Sequence, residues 1–283
     1  MARRNIFDIL EENNDIEKEV ERIQCLYEET DTIKQRAVTC TIYEFLNKGV
    51  FAGWKRKGHC LNLEDFTDTI DFYEMVNEAP YEQEQLLNFI ETVYNFWWLA
   101  EDRMVRSDFQ MEPLDSFYFL KKIMDDVLAQ VNYKVYKIPE EECVLVGENK
   151  PEVTAVAEII DHNLVLPVLR YNHFSLKGDL KTKKSILLQL GSDLEAKRKL
   201  LAPLNKQLES DIFYMLNNIN LRHNNVNQAD KSKYKEHIAN MTQEELESWY
   251  DELYQMMLLA YLILDNEDRK NKIAQLKTEM GAN

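Results

Sequence analysis

The amino-acid sequence predicts an all-α protein: an N-terminal helical bundle, a small β-hairpin and a C-terminal helical bundle. Apolar residues recur at three- and four-residue steps over most of the 283 positions, with acids between them. Only 7 Gly and 6 Pro interrupt the chain, which excludes collagen-like and low-complexity structure. The single stretch of β-branched and aromatic residues without helical spacing, Tyr133 to Val146, is short. With 45% apolar and 30% charged residues, a chain of this length buries roughly three quarters of its unfolded surface and needs no disulfide or metal staple.

Between Asn5 and about Leu46 the residues Ile6, Ile9, Leu10, Ile16, Val20, Ile23 and Leu26 fall on helical spacing and predict two helices. After the basic loop Lys55-Arg56-Lys57-Gly58 a helix starts near Leu63 and stops before Pro80. A long one follows from Glu82 to about Val105, whose stripe of Phe89, Val93, Tyr94, Phe96, Trp97 and Trp98 reads as core. The next opens at Pro113, where a first-turn proline is tolerated, and carries Phe117, Leu120, Ile123, Val127 and Leu128 to about Val131. Tyr133–Ile138 and Cys143–Val146, parted by Pro139-Glu-Glu-Glu, predict the hairpin and the domain junction. The expected organisation is an acidic helical domain over 1–130, a hairpin junction over 131–150 and a second helical domain over 151–283.

In that second part helices are expected from Pro151 through Val168, from Leu180 to Leu201 and from Leu204 to about Leu221. The stretch Arg222 to Asp230 is too rich in Asn to continue the last of them. Thr242 and Glu245 form a capping box, with Met241 placed to staple onto Leu246. From there Leu246, Trp249, Tyr250, Leu253, Met256, Met257, Tyr261 and Leu264 run at helical spacing, and a final helix is expected from about Asn266.

The net charge of −16, from 34 Lys and Arg against 50 Asp and Glu, argues against a general polyanion binder or an anionic membrane surface. The sign is uneven. Residues 170 to 206 hold nine basic and three acidic groups, so this segment is +6 in an otherwise −22 chain, and screening lets it act locally. Cys25, Cys40, Cys60 and Cys143 lie far apart without a Cys-x-x-Cys, which suits a reducing cytoplasm and neither a disulfide framework nor a zinc ribbon. Acids follow Arg3 and Arg4 where a signal peptide would be apolar, and no stretch of about 18 apolar residues occurs, so no membrane association is expected.

Nucleotide-binding glycine loops, the zincin His-Glu-x-x-His, the hydrolase Gly-x-Ser-x-Gly and the EF-hand loop are all absent from the sequence. Adjacent acids such as Glu101-Asp102 and Asp125-Asp126 point to different helix faces and read as solvated surface. His59 beside Cys60 lacks a second ligand pair, and His162 follows Asp161 at a helix junction; no metal and no cofactor are expected.

Two polar clusters remain. Leu216-Asn-Asn-Ile-Asn-Leu-Arg-His-Asn-Asn225 gathers Arg222, His223, Asn218, Asn224 and Asn225 at one helix end. A guanidinium grips phosphate, an imidazole passes protons near neutrality and amides orient both. Arg222 and His223 equally suit capping of the last carbonyls. The second cluster, Tyr171-Asn-His-Phe-Ser-Leu-Lys-Gly-Asp179, supplies Asn172, His173 and Lys177, with Lys181 and Lys184 continuing one face; its plain alternative is a polar turn beside a solvated lysine face. If the helices beginning near 179 and 204 pack antiparallel, Asn172, His173 and Lys177 approach Arg222 and His223.

Residues 151 to 275 resemble bacterial HEPN-type proteins in these two clusters, in Leu194-Glu-Ala-Lys-Arg and in Trp249-Tyr-Asp-Glu-Leu-Tyr-Gln-Met-Met-Leu-Leu. The resemblance implies a helical domain of the abortive-infection or toxin type and, for many such proteins, a metal-independent RNase with Arg and His at a dimer interface. Arg222 then matches the motif arginine and His223 the polar residue after it, while Asn227, Gln228 and Ala229 stand where the motif histidine is expected. On this resemblance the chain is expected to be an RNase or toxin of phage defence with Arg222, His223 and His173 catalytic, RNA as partner and a homodimer as assembly. The alternative is a non-catalytic binding or sensor protein that dimerises through its C-terminal bundle and meets a protein partner with its N-terminal domain.

Overall fold

The computed structural model describes residues 16–77, 82–106 and 111–281. It is mainly helical, with 68% helix against 9% strand. The chain divides into two compact units, residues 1–149 and 150–283. Their charge differs sharply: the first holds sixteen Lys and Arg against thirty-one Asp and Glu, a net −15, and the second eighteen against nineteen, a net −1.

The first unit runs α1 (Ile16–Glu28), β1 (Ile33–Gln35), β2 (Val38–Cys40), α2 (Ile42–Phe45), α3 (Leu63–Thr69), α4 (Phe72–Asn77), α5 (Gln83–Arg106), β3 (Met111–Pro113), α6 (Asp115–Gln130), β4 (Tyr133–Ile138) and β5 (Cys143–Glu148). Sequence periodicity expected two helices before Leu46; a tight hairpin, β1–β2, interrupts them. Its turn places Arg36 at φ 57°, and Ile33 pairs with Cys40 on one side and Pro113 on the other, giving the sheet order β2-β1-β3. Pro113 is therefore an edge-strand residue, where a missing N–H costs little, and not the start of α6. The expected helix after Leu63 is broken at Asp71, which sits at φ 52° between α3 and α4. Expectations for residues 5–15 and for the chain around Pro80 lie outside the described residues.

α5 is the axis of this unit. Its Phe96 is fully buried, stacks on Tyr27 at 5.6 Å and receives the edges of Phe51, Trp54 and Phe66. Trp97 packs on Phe117 at 5.0 Å and donates its indole N–H to the Phe117 carbonyl at 2.9 Å. The expected aromatic core is thus present, although Trp98 is only half-buried.

The hairpin β4–β5 forms with Tyr133 opposite Glu148 and Ile138 opposite Cys143. It lies at the end of the first compact unit, residues 1–149, where α5 completes its open edge. Asn95 accepts from Val144 N–H at 2.9 Å and donates to the Val144 carbonyl at 3.1 Å, and Glu91 accepts from Val146 N–H at 2.6 Å. Side chains of a helix here satisfy backbone groups that a further strand would otherwise have to pair. Trp54 fastens the turn by donating to the Glu142 carbonyl at 2.8 Å.

The second unit comprises α7 (Pro151–Ala157), α8 (His162–Arg170), α9 (Leu180–Ala196), α10 (Arg198–Leu204), α11 (Lys206–Asn218), α12 (Glu236–Ala239) and α13 (Gln243–Glu279). α13 packs against α7, α9, α10 and α11. Gly191 lets α9 approach closely, since a Cβ there would lie 2.9 Å from Leu216 of α11. The capping box of Thr242 and Glu245 opens α13 as the sequence implies. The separate final helix does not form: no Gly or Pro lies between Gln243 and Glu279, and Asp265 bridges to Arg269 one turn on at 2.6 Å, so α13 continues through Asn266.

Candidate functional site

α11 ends at Asn218, and the chain turns through Asn220 at φ 62°, a left-handed position that Asn tolerates. The Arg222 N–H returns to the Leu216 carbonyl at 3.0 Å, so the main chain caps the helix and frees the arginine side chain for other contacts. Asn225, 1% exposed, then locks the loop. Its amide oxygen accepts from Asn220 N–H at 2.8 Å, its amide nitrogen donates to the Lys233 carbonyl at 2.8 Å, and its own carbonyl accepts from Lys235 N–H at 2.8 Å.

This staple holds two lysines beside the end of α11. The result is an open hollow of about 350 Å³ lined by Asn217, Asn218, His223, Asn225, Ser232, Lys233 and Lys235. Among the described residues no carboxylate lines it. Asn218 spends its amide N–H on the Tyr214 carbonyl at 2.8 Å and keeps its oxygen available, and Asn224 is exposed nearby in sequence. Two ammonium groups, an imidazole, a hydroxyl and amides can together neutralise one phosphate and hydrogen-bond the atoms attached to it.

The remaining predicted residues fall into other settings. Arg222 turns its guanidinium to Glu195 at 2.6 Å and over the Phe213 ring at 5.6 Å, and it does not line the hollow. His173 caps the short turn Phe174–Leu176: its Nδ1 accepts from Ser175 N–H at 3.2 Å and lies 2.7 Å from the Ser175 hydroxyl. Lys177 follows that turn and precedes α9, whose N-cap is Asp179, so Lys177, Lys181 and Lys184 do not form one helical face. Lys181 is exposed. Lys184 donates to the Asn220 carbonyl, which shows that the start of α9 meets the end of α11; burial there lowers its pKa. The two polar clusters thus touch through one lysine while their histidines serve different structures.

Three of the nine cations in segment 170–206, Lys183, Lys197 and Arg198, form ion pairs within their own unit. Lys197 meets Asp193 at 2.8 Å and Asp161 at 3.2 Å, and Arg198 binds Glu209 and lies over Phe213 at 4.3 Å. Its most buried cation is Lys183, whose side chain is 8% exposed. It contacts Glu247 at 2.7 Å and Asp251 at 2.8 Å and lies over Tyr171 at 5.1 Å. Tyr171 donates to Asp251 at 2.9 Å and stacks on Tyr254 at 4.0 Å, and Tyr254 in turn donates to the Val168 carbonyl at 2.7 Å. Asn172 donates to the Tyr254 hydroxyl at 2.9 Å and accepts from Lys150 at 3.1 Å. Asn172 is therefore a tie between α7, α8 and α13, not an open binding group.

Burial, reinforced by Asp251, pushes the Tyr171 hydroxyl far above the ordinary tyrosine range. Burial also opposes ionisation of Glu247, yet the Lys183 ammonium and the Gly178 N–H outweigh it and hold this carboxyl below its usual range. Sequence reading missed this network, whose members are scattered over eighty residues. It also missed Lys233 and Lys235, although the alternation Lys231-Ser-Lys-Tyr-Lys235 after the Asn-rich loop marks them.

Among the described residues no group of three or more His, Cys, Asp and Glu is arranged to hold a metal ion, and no helix is long and apolar enough to cross a membrane. The four cysteines are unpaired. Comparison of the chain with protein-family models, with curated proteins and with solved structures finds no match in any of the three.

Proposed function

We propose that the chain binds single-stranded RNA, with one backbone phosphate seated in the hollow between His223, Lys233 and Lys235. The observation that carries this reading is the composition of that hollow: cationic and amide groups without a carboxylate among the described residues, in the unit of net charge −1. Lysines act as point charges for phosphate, while Asn217, Asn218 and Ser232 offer bonds to the ribose hydroxyl and to base edges that an unpaired strand exposes. The −15 of the other unit disfavours long polyanions at a distance, which suits a short local contact. Together with the HEPN resemblance, this supports a reading as an RNA-directed component of phage defence, with which unpaired thiols in a reducing cytoplasm agree.

Fluorescence anisotropy with a short single-stranded oligoribonucleotide tests the assignment. Lys233→Glu combined with Lys235→Glu should weaken binding at least tenfold and flatten its salt dependence by roughly two counterions. Arg222→Ala, whose partner is Glu195, should change it far less. Equal affinity in the double lysine variant and the parent removes the hollow as the site.

His223 favours a second reading, metal-independent cleavage. An imidazole beside a phosphate held by lysines can accept the proton of the 2′-hydroxyl as that oxygen attacks phosphorus, while the departing 5′-oxygen takes a proton from Lys233, Lys235 or water. Fragments ending in a 2′,3′-cyclic phosphate, formed in chelator and absent in His223→Ala, would establish it. Binding without such fragments leaves the non-catalytic sensor.

A further inference from the structure

α13 is 37 residues long, and its two halves live in different surroundings. Tyr250, Leu253, Tyr254, Met257, Leu258 and Tyr261 are buried in the bundle, whereas every residue from Asp268 to Gly281 is exposed. A helix segment without tertiary contacts is marginal in water, so a continuous one of this length calls for a partner. The exposed part is not uniformly polar. Leu259, Ile273, Leu276 and Met280 are 47, 52, 53 and 74% exposed. With Leu262, Asn266 and Arg269 they occupy alternating steps of three and four, the a and d positions of a heptad over 259–280.

We infer that this stripe pairs with the same stripe of a second copy of the chain, antiparallel. The charges beside the stripe decide the direction. The flanking positions hold Asp265, Lys272 and Glu279 on one side and Ile263, Lys270 and Lys277 on the other. In a parallel pair the attraction of Asp265 to Lys270 is offset by Lys272 of each copy against Lys277 of the other, and Arg269 faces Arg269 in the seam, so the balance is repulsive. Antiparallel pairing centred between Asn266 and Arg269 removes both conflicts. It sets Leu259 against Leu276, Leu262 against Ile273 and Asn266 against Arg269 in symmetry-related layers, and it brings Asp265 of each copy to Lys272 of the other. An isologous contact of this kind uses the one patch twice. The polar Asn266–Arg269 layer fixes register at some cost in stability, as a buried Asn does in coiled coils. This pairing stands independently of RNA binding, because the stripe shares no residue with the hollow.

Light scattering coupled to size-exclusion chromatography on the full chain provides the test. The parent should be a dimer at micromolar concentration and Leu276→Asp a monomer whose bundle unfolds as the parent's does, with a small loss of helical circular dichroism from the unpartnered end of α13, since Leu276 supports nothing in the bundle. Asp265→Lys should weaken the dimer roughly tenfold through two repulsive pairs, and Asp265→Lys with Lys272→Asp should restore it. Failure of the double variant to recover overturns the antiparallel assignment. So does rapid disulfide formation between two copies of Leu276→Cys, which lie about 26 Å apart in the proposed pair and adjacent in a parallel one. A parent that stays monomeric at roughly 100 μM, a concentration at which a dimer of even weak micromolar affinity is populated, overturns the dimer altogether.

Discussion

The two units solve the same problem, fixing helices around a core, with different use of polar groups. In the first unit the indole tips of Trp54 and Trp97 bond to the main-chain carbonyls of Glu142 and Phe117. In the second Tyr254 and Tyr261 also bond to main-chain carbonyls, but a buried cation is added: Lys183 and Tyr171 both donate to Asp251, and Asn172 donates to the Tyr254 hydroxyl. The first arrangement ties a side chain to the main chain. The second spends ionisable groups on structure and keeps others, His223 with Lys233 and Lys235, at an open surface. On the proposed reading, recognition falls to the unit of lower net charge, and each design fails differently when cut.

The largest effect should come from the aromatic core. Trp97→Ala removes a fully buried indole, its stacking on Phe117 and its bond to the Phe117 carbonyl. The expected loss is about 4 kcal/mol in urea denaturation, confined to the transition of the first unit. Trp98→Ala, at a half-buried position, should cost clearly less. Equal costs would mean that the stripe on α5 is not oriented as described.

In the second unit Lys183→Met tests the ionic design. The methionine keeps the stem but leaves Glu247 and Asp251 without their shared cation, and the expected loss is roughly 3 kcal/mol at neutral pH. The pH dependence has a definite sign. Glu247 has a folded-state pKa below its unfolded value near 4.5, so its contribution is present above that value and disappears as pH falls through the lower, folded one. The parent should therefore lose this stability under acid, while Lys183→Met should show a smaller acid-dependent loss. Identical pH profiles would show that the pair contributes nothing net, as some buried ion pairs do.

Much of the fold is legible in the sequence because helical periodicity is a local signal. α5, α6 and α13 announce themselves by three- and four-residue spacing and, for α13, by its capping box. The β1–β2–β3 sheet is not legible, since its strands are three residues long and Ile33 finds Pro113 eighty residues away. The same distinction governs the candidate site. The Asn-rich loop and His223 are visible as composition. The role of Asn225 as a staple depends on how its loop folds back onto Asn220 and Lys233, and the diversion of Arg222 to Glu195 depends on the packing of α9 against α11. Lys183 reads as one of several lysines on α9 until Glu247 and Asp251 arrive from α13.

The smallest predicted effect sharpens the contrast from the other side. Tyr27 is completely buried, stacked on Phe96 at 5.6 Å and edged by Phe72 and Tyr43 at 6.1 Å, yet its hydroxyl has no hydrogen-bond partner among the described residues. Burial, with Tyr73 and Glu28 adding to it, raises its pKa well above the ordinary value, so the group stays a neutral phenol and contributes a desolvated dipole. Tyr27→Phe keeps every ring contact and deletes that dipole, so the first unit should gain about 1 kcal/mol. Tyr254→Phe in the second unit removes the same atom where it accepts from Asn172 and donates to Val168, and there the sign should reverse to a loss of about 1–2 kcal/mol. If both changes destabilise, the hydroxyl of Tyr27 has found a partner of its own, and the first unit relies on polar tips as the second does.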